Sequence, residues 1–155
     1  MVFGIIFLLS VSFISAGWFS DLFKQNNKIT GNVVGGTCGS YSYGSPNAVT
    51  TNSEFSSDYS AQNTIDGGTN THWFGNGKVS FPKWLSFDLG EIKCVNKVKL
   101  LAYTSDVPIT FNIEISNDGT NFAVVKEGLV LSVGNKFTEF SFDEVSGRYI
   151  KITET

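Results

Sequence analysis

Short segments of this chain alternate strictly between apolar and polar residues, which is the pattern of a β-strand with one buried and one solvent-facing side. The clearest alternation covers residues 109–116, where Ile or Phe occupies every second position. Residues 85–89 and 98–102 carry the same period, and so do 138–142 and 148–152 near the end of the chain. No segment holds the period of an amphipathic helix. The pattern therefore predicts an all-β protein.

Clusters of Gly, Asn and Asp separate these predicted strands and indicate tight turns. Residues 117–120 are Asn-Asp-Gly-Thr, directly after the alternation at 109–116, and an Asp-Gly step readily supplies the positive φ of a hairpin turn. Extended character resumes at 122–125, so a β-hairpin is predicted here. Short strands at this spacing favour an antiparallel β-sandwich or barrel.

Residues 1–16 form an apolar run that ends in small residues. This favours a secretory signal that is cleaved near Ala16 or Gly17. The run is preceded by no Lys or Arg, and apolar character continues through Phe19, which gives about the minimum length of a membrane span. An uncleaved membrane anchor and a disordered apolar terminus are therefore the alternatives. A signal or an anchor would place the rest of the chain outside the cytoplasm, secreted or held at the cell surface.

Residues 17–46 are rich in Gly, Ser, Asn and Thr, and their apolar residues come in isolated pairs. Such a segment buries too little apolar surface to offset the entropy of the chain. We therefore predict a flexible tether over 17–46, followed by one β-sandwich domain over 47–155.

The overall composition supports a folded domain and argues against several functions. The 155 residues are 41% hydrophobic, 14% aromatic and 16% charged, which is typical of a globular rather than a disordered chain. A net charge of -3 with 11 Lys and Arg offers no basic surface for nucleic acid or an anionic membrane. Membrane contact is expected only through the N-terminal segment. One His and two Cys argue against a His- or Cys-rich metal or redox centre. A Ser–His–Asp site would have to use His72 and lacks a Gly-x-Ser-x-Gly elbow, so no enzyme is predicted.

The two cysteines, Cys38 and Cys94, form an even set. In an exported chain this favours a disulfide bond between them. The bond would tie the tether to the sandwich and contribute about 4 kcal/mol by restricting the unfolded chain. A buried Cys94 thiol and an intermolecular bridge through Cys38 are the alternatives.

Several sequence segments occur in an order that is more specific than composition. They are residues 59–67 (YSAQNTIDG), 71–73 (THW), 82–90 (PKWLSFDLG), 113–122 (IEISNDGTNF) and 147–152 (GRYIKI). Their order and spacing resemble the coagulation factor 5/8 type C (discoidin) domain, a group that includes the family 32 carbohydrate-binding modules. The resemblance covers roughly residues 47–155. It implies a jelly-roll β-sandwich with a galactose-binding-domain-like fold of about eight strands, in agreement with the alternation.

Oxygen donors near residue 66 and at the end of the chain indicate a cation site. Asp66 and Glu154 offer carboxylates, and Thr71 offers a hydroxyl and a carbonyl, a donor set that suits Ca²⁺. The resemblance implies a structural calcium site in which Asp66, Thr71 and Glu154 bind through their side chains. The carbonyl donors that it implies are those of Asn63, Gly68 and Thr153. Relatives often carry an acidic or amide side chain at the position of Gly68, so weaker binding is implied here. Alternatively, Asp66 only caps a turn and Glu154 is a solvated terminal residue.

The resemblance also implies a ligand site in the loops at one end of the sandwich. These loops correspond to residues 53–59, 74–81 and 103–108. A sugar ring binds through an exposed aromatic side chain and planar polar groups. The aromatic candidates are Phe55, Tyr59, Phe74, Phe81 and Tyr103, and the polar candidates are His72, Asn76, Lys78 and Asp106.

The candidate loops depart from the pattern of galactose-binding relatives. Those relatives often carry His directly after the position of Trp73, where this chain has Phe74. They also carry Arg and Asn after the strand that ends near Tyr103, where this chain has Thr-Ser-Asp-Val-Pro. A preference for galactose is therefore not implied. Trp73 and Trp84 are both expected to face the core.

The function expected from these features is that of an exported, non-catalytic binding module. Its expected ligand is carbohydrate on a cell surface or in an extracellular polymer, with a separate hydrolase or surface protein as a possible partner. The alternative is a cell-adhesion or phospholipid-binding discoidin module, for which Phe55 and Phe81 would be the membrane-inserting side chains.

Overall fold

The computed structural model of the chain describes residues 8–12, 43–68, 70–102, 109–132 and 137–155. Within these ranges there are seven strands and two short 3-10 helices, so the predicted all-β class is confirmed. The strands are β1 (Leu8–Ser12), β2 (Tyr43–Gly44), β3 (Ala48–Thr51), β4 (Lys83–Leu101), β5 (Ile109–Ser116), β6 (Ala123–Leu131) and β7 (Thr138–Glu154). The helices η1 (Ser57–Tyr59) and η2 (Ala61–Thr64) lie between β3 and β4.

All strand pairs are antiparallel, in the order β2-β1-β4-β7-β5-β6, with β3 paired to β4 as a branch. The two longest strands, β4 and β7, pair with each other over separate stretches. Residues 83–88 of β4 pair with 149–154 of β7, next to β3 and β5. Residues 97–100 pair with 138–141 of β7, next to β1. The register shifts between these stretches, within residues 88–97 of β4.

The hydrophobic core consists of the inward residues of the alternating segments, as the sequence predicts. Phe111 is fully buried and its ring meets that of Phe140 edge-on, with 5.0 Å between the ring centroids. Apolar residues of β4, β5 and β7 and of the segment before β4 complete the core: Trp73, Leu85, Phe87, Leu89, Val95, Val98, Leu100, Ile113, Ile115, Ile150 and Ile152. The segments that connect the strands are supported by this core.

The predicted hairpin at 109–125 is confirmed, and Asp118 holds its turn together. Asp118 Oδ1 accepts hydrogen bonds from the backbone N–H groups of Thr120 and Asn121, each at 2.8 Å. Its Oδ2 accepts one from the Asn121 side chain at 2.7 Å. These hydrogen bonds hold the pKa of the Asp118 carboxyl far below its usual range. Gly119 has a φ of 75°, the positive value that the Asp-Gly step predicts.

β4 continues past the point where the sequence predicts the end of a strand. Gly90 has a φ of 81° and donates its N–H to Asp88 Oδ1 at 2.7 Å, but pairing resumes at Lys93. A Cβ atom on Gly90 would collide with the side chain of Asn47. The glycine therefore marks an irregularity within one long strand.

The expectation that Trp84 faces the core is wrong. Leu85 and Phe87 occupy the inward side of β4, so the period of two places Trp84 on the outward side with Ser86 and Asp88. Trp84 is partly exposed, whereas Trp73 is fully buried as predicted.

The N-terminal segment is described only in part. β1 lies within the predicted signal and pairs with β4, with Leu8 opposite Leu101. Most of the predicted tether lies outside the described residues, and its end at Tyr43–Gly44 forms β2. The signal, its cleavage and the boundaries of tether and domain stay predictions. No helix within the described ranges is long and apolar enough to cross a membrane.

Cys94 is disulfide-bonded in the structure. Its predicted partner, Cys38, lies outside the described residues, so the pairing of the two stays a prediction. A bonded Cys94 argues against the alternative of a buried free thiol.

Candidate functional site

Four predicted ligand residues come together on the surface, and we call Phe55, Tyr59, His72 and Phe74 the aromatic cluster. The rings of Phe55 and Phe74 meet edge-on with centroids 5.2 Å apart, and those of Phe55 and Tyr59 are 6.0 Å apart. Tyr59 also lies 5.8 Å from Phe74 and 4.7 Å from His72. Edge-to-face packing of this kind is favourable beyond the burial of area alone.

Backbone hydrogen bonds fix the aromatic cluster to two chain segments. The N–H of Phe55 donates to the carbonyl of Phe74 at 2.8 Å, and the N–H of Phe74 donates to that of Tyr59 at 3.1 Å. Below them, the buried indole of Trp73 donates to the carbonyl of Ser53 at 2.7 Å. Because Trp73 points inward, its neighbours His72 and Phe74 point outward. The cluster is therefore held in place before any ligand arrives.

Within the cluster, Phe55 offers the largest apolar surface to solvent, with 48% of the residue exposed. Tyr59, His72 and Phe74 are half-buried beside it. Burial lowers the pKa of His72, so the imidazole is neutral at pH 7. The cluster is an uncharged aromatic surface, which suits the apolar face of a sugar ring.

The other predicted ligand residues are placed differently. Phe81 is 59% exposed and lies outside the cluster, with the Lys83 ammonium 4.9 Å from its ring centroid. Asn76 uses its side-chain oxygen to accept the N–H of Lys78 at 2.9 Å, which shapes the turn after the cluster. Tyr103 and Asp106 lie outside the described residues.

The predicted metal ligands near residue 66 form a tight turn. Asp66 Oδ1 accepts the N–H of Gly68 at 2.7 Å, and Oδ2 accepts the hydroxyl of Thr71 at 2.6 Å. A Cβ on Gly68 would lie 2.8 Å from Thr71 Oγ1, so this turn has no room for a side chain there. The Asn63 side chain donates to the carbonyl of His72 at 2.9 Å and thereby joins the turn to the aromatic cluster.

Glu154 is buried at the end of β7, so the alternative of a solvated terminal residue is wrong. The residue is 6% exposed, and its Oε2 atom has no hydrogen-bond partner among the residues that the structure describes. Burial raises the pKa of the Glu154 carboxyl to about 7, against the opposing influence of Lys83. Its neighbour Thr153 donates its hydroxyl to Glu114. Among the described residues, no hydrogen bond or ion pair joins Glu154 to Asp66.

This donor set fits a hard cation such as Ca²⁺. A buried carboxylate oxygen without a partner is costly, and a cation would satisfy it. Asp66 and Thr71 offer a carboxylate and a hydroxyl, which are also ligands that Ca²⁺ prefers. No group of three or more His, Cys, Asp or Glu that could hold a metal occurs within the described residues. Any cation would therefore depend on hydroxyl and carbonyl oxygens as well as the two carboxylates.

Two features of this region were not predicted. Lys83 is buried on the inward side of β4, opposite Glu154. Strand alternation alone could have placed its side chain on the side of Leu85.

An open depression of about 530 Å³ lies beside the cluster, lined by residues 49–54 and 60–62, and it contains none of the predicted ligand residues. It forms where β3 meets η2, and no local sequence signal marks that meeting.

Comparison with known proteins identifies the family. Residues 48–155 match the profile of the F5/8 type C domain. The chain belongs to the F5/8 type C domain family. This confirms the resemblance drawn from the sequence, and the sandwich fold with it. No curated protein sequence matched the chain.

Solved structures similar to this F5/8 type C domain are carbohydrate-binding modules. The CBM32 module of AlyQ, solved with 4,5-unsaturated mannuronic acid, is 33% identical, with a TM-score of 0.62 over 70% of this chain and 81% of that one. Chitosan-binding module 1 of a chitosanase/glucanase from Paenibacillus sp. IK-5 is 27% identical, with a TM-score of 0.60 over 72% and 83%. The family 32 module of Clostridium perfringens NanJ, solved with galactose, is 27% identical, with a TM-score of 0.58 over 68% and 80%.

Proposed function

We propose that this F5/8 type C domain is an exported, non-catalytic module that binds carbohydrate through the aromatic cluster. The observation that carries the proposal is the pre-positioned ring of Phe55, which is half exposed and packed edge-on against Phe74. A sugar could stack on Phe55 without the entropic cost of ordering a loop. Phe81, which is exposed on the same connection to β4, would add a second apolar contact.

The similar structures support carbohydrate as the ligand and leave its identity open. Their bound or named ligands are an unsaturated mannuronic acid, chitosan and galactose, which differ in charge. In a further similar structure, the CBM32 module is joined to an alginate lyase domain. This supports the proposal that the module works together with a carbohydrate-active enzyme.

Binding to a panel of alginate, chitosan and galactan tests this proposal. Titration calorimetry should detect binding to at least one polymer, and Phe55→Ala should weaken it at least tenfold, because the stacking surface is lost. Ile92→Ala is the control, since Ile92 is 62% exposed on β4, near Gly90 and outside the loops proposed to bind. Absence of binding to every polymer at millimolar sugar would contradict the proposal. Equal affinity of wild type and Phe55→Ala would contradict the role of the cluster.

Binding to phospholipid vesicles distinguishes the alternative function, cell adhesion or phospholipid binding, from carbohydrate binding. A phospholipid-binding module inserts apolar side chains and is drawn to anionic headgroups by basic residues. The net charge of -3 opposes that attraction. Sedimentation with phosphatidylserine vesicles should therefore leave the protein in the supernatant. Co-sedimentation that Phe55→Ala abolishes would favour the adhesion or phospholipid function instead.

A structural calcium ion is the second part of the proposal. Asp66, Thr71 and Glu154 would hold it through side chains, and Asn63, Gly68 and Thr153 through carbonyls. The support is the unpartnered Oε2 atom of buried Glu154 and the oxygen-rich turn at 66–71. When bound, the ion would neutralise buried charge and brace the turn beside the aromatic cluster. Thermal unfolding should therefore occur at a higher temperature in calcium than in EDTA, and an unchanged transition would remove the ion from the proposal.

Export is the third part, and it rests on the apolar run over residues 1–16. The N-terminal sequence of the protein recovered from a secreting host tests it. A mature chain that begins near Gly17 would support a cleaved signal, whereas a chain that retains Met1 in the membrane fraction would support an anchor.

A further inference from the structure

Lys83 is a buried cation, whereas the other lysines that the structure describes reach solvent more freely. It is 6% exposed and lies on the inward side of β4. The aliphatic part of the Lys83 side chain packs closely on the loop that precedes β4. A Cβ atom on Gly75 of that loop would lie 2.9 Å from Lys83 Cδ. A lysine is rarely buried to this extent unless an opposite charge lies nearby.

The opposite charge near Lys83 is Glu154. The two residues are direct partners in the antiparallel pairing of β4 with β7, and both are 6% exposed. Partners of this kind have Cβ atoms about 5 Å apart and point to the same side of the sheet. Yet no ion pair within 4.0 Å joins them in the described part of the chain, and Glu154 Oε2 has no hydrogen-bond partner. The ammonium therefore offsets the buried carboxylate only from a distance.

We infer that Lys83 is an internal competitor of calcium, which lowers the affinity of the Glu154 site for the ion. The inference rests on the proposed calcium function. A divalent cation on Glu154 would lie on the side of the sheet that also carries the Lys83 ammonium, which is 4.9 Å from the centroid of the Phe81 ring. Repulsion between partly buried charges of the same sign is only weakly screened by salt. The site is therefore expected to hold calcium more weakly than the same oxygen donors would without this lysine.

Calcium affinities of full-length variants test the inference. Lys83→Met keeps the buried stem and removes the charge, and it should bind calcium about tenfold more tightly than wild type. Lys83→Arg keeps the charge and should bind as wild type does. Lys126→Met removes a charge from the exposed surface of β6 and should change the affinity less than twofold.

Chelator competition, started from calcium-loaded protein, gives these affinities even where a variant is unfolded without the ion. Tighter binding by Lys83→Met alone supports the inference. Equal or weaker binding by Lys83→Met than by wild type overturns it, while the calcium proposal stands. If neither the wild type nor any variant binds calcium, the calcium proposal fails, and the inference fails with it.

Discussion

At the scale of single residues, Glu154 shows how burial changes the chemistry of an ordinary carboxyl. Near the end of a chain a glutamate is commonly solvated, but here β7 carries it into the sandwich beside Lys83. The loss of water raises the pKa of the Glu154 carboxyl to about 7. An ionised Glu154 is therefore a source of instability unless a cation compensates it.

Replacing the Glu154 carboxyl should stabilise the calcium-free protein and destabilise the calcium-loaded protein. At pH 8 in EDTA, Glu154→Gln should unfold at a higher temperature than wild type, because the cost of burying the Glu154 carboxylate outweighs its attraction to Lys83. The same variant should lose the stabilisation that calcium gives the wild type. Scanning calorimetry with and without calcium measures both effects.

Glu127→Gln, on the exposed surface of β6, is the control and should behave as wild type in both buffers. A Glu154→Gln variant that calcium still stabilises would show that this carboxylate is not a ligand.

The two tryptophans Trp73 and Trp84 differ in their contributions, although both lie in segments that resemble the family. Trp73→Ala should cost about 3–5 kcal/mol, because it opens a cavity in the core and removes the hydrogen bond to Ser53. Trp84→Ala should cost less than half as much, because Trp84 lies on the outward side of β4. Urea unfolding of the two variants measures the difference. Equal losses would contradict the outward placement of Trp84.

At the scale of elements, the turn of the β5–β6 hairpin depends on the charge of Asp118. Its pKa is depressed, so this carboxylate contributes stability above the ordinary pKa of an aspartate, and the contribution is lost as the pH falls below about 4. Asp118→Asn keeps an acceptor oxygen and removes the charge. The variant should be less stable than wild type at pH 7, and its stability should fall less steeply in acid.

Thermal unfolding between pH 2 and pH 7 provides the measurement. Asp143→Asn, at an exposed position of β7, is the control for the loss of one negative charge. Parallel pH profiles for Asp118→Asn and wild type would show that the turn does not depend on this ionisation.

The long strands are the elements that sequence patterns describe least well. The alternations at 85–89 and 98–102 were predicted as separate strands, yet both belong to β4. A register shift after Asp88 allows one strand to continue its pairing with β7 past the irregularity at Gly90. Hydrogen bonding to neighbouring strands decides whether β4 is continuous. The local pattern of apolar and polar residues carries no information about those neighbours.

At the scale of the whole molecule, the disulfide bond of Cys94 is predicted to link the sandwich to Cys38. Reduction, or the substitution Cys94→Ser, should lower the free energy of unfolding by about 2–4 kcal/mol, because the unfolded chain regains conformational freedom. Peptide mapping without reducing agent should recover a peptide pair that contains Cys38 and Cys94. Two free thiols in the secreted protein would contradict this.

The aromatic cluster shows what could and could not be foreseen about the candidate site. Its four residues were all predicted as ligand residues, because exposed aromatics in loops are typical of sugar-binding surfaces. Their mutual contacts could not be predicted, since Phe55 and Phe74 lie far apart in sequence and meet through backbone hydrogen bonds. Phe81, by contrast, lies outside the cluster although it belongs to the same loop as Phe74.

The sequence by itself determined the all-β class, the inward residues of the alternating segments, the hairpin at Asp118 and the family. These follow from local rules, because the period of two and the geometry of an Asp-Gly turn act over a few residues. The tertiary structure alone shows that β4 and β7 pair with Lys83 opposite Glu154 and that the rings of Phe55 and Phe74 meet. Burial and pairing depend on which distant strands meet, and that is a property of the packed fold rather than of any segment.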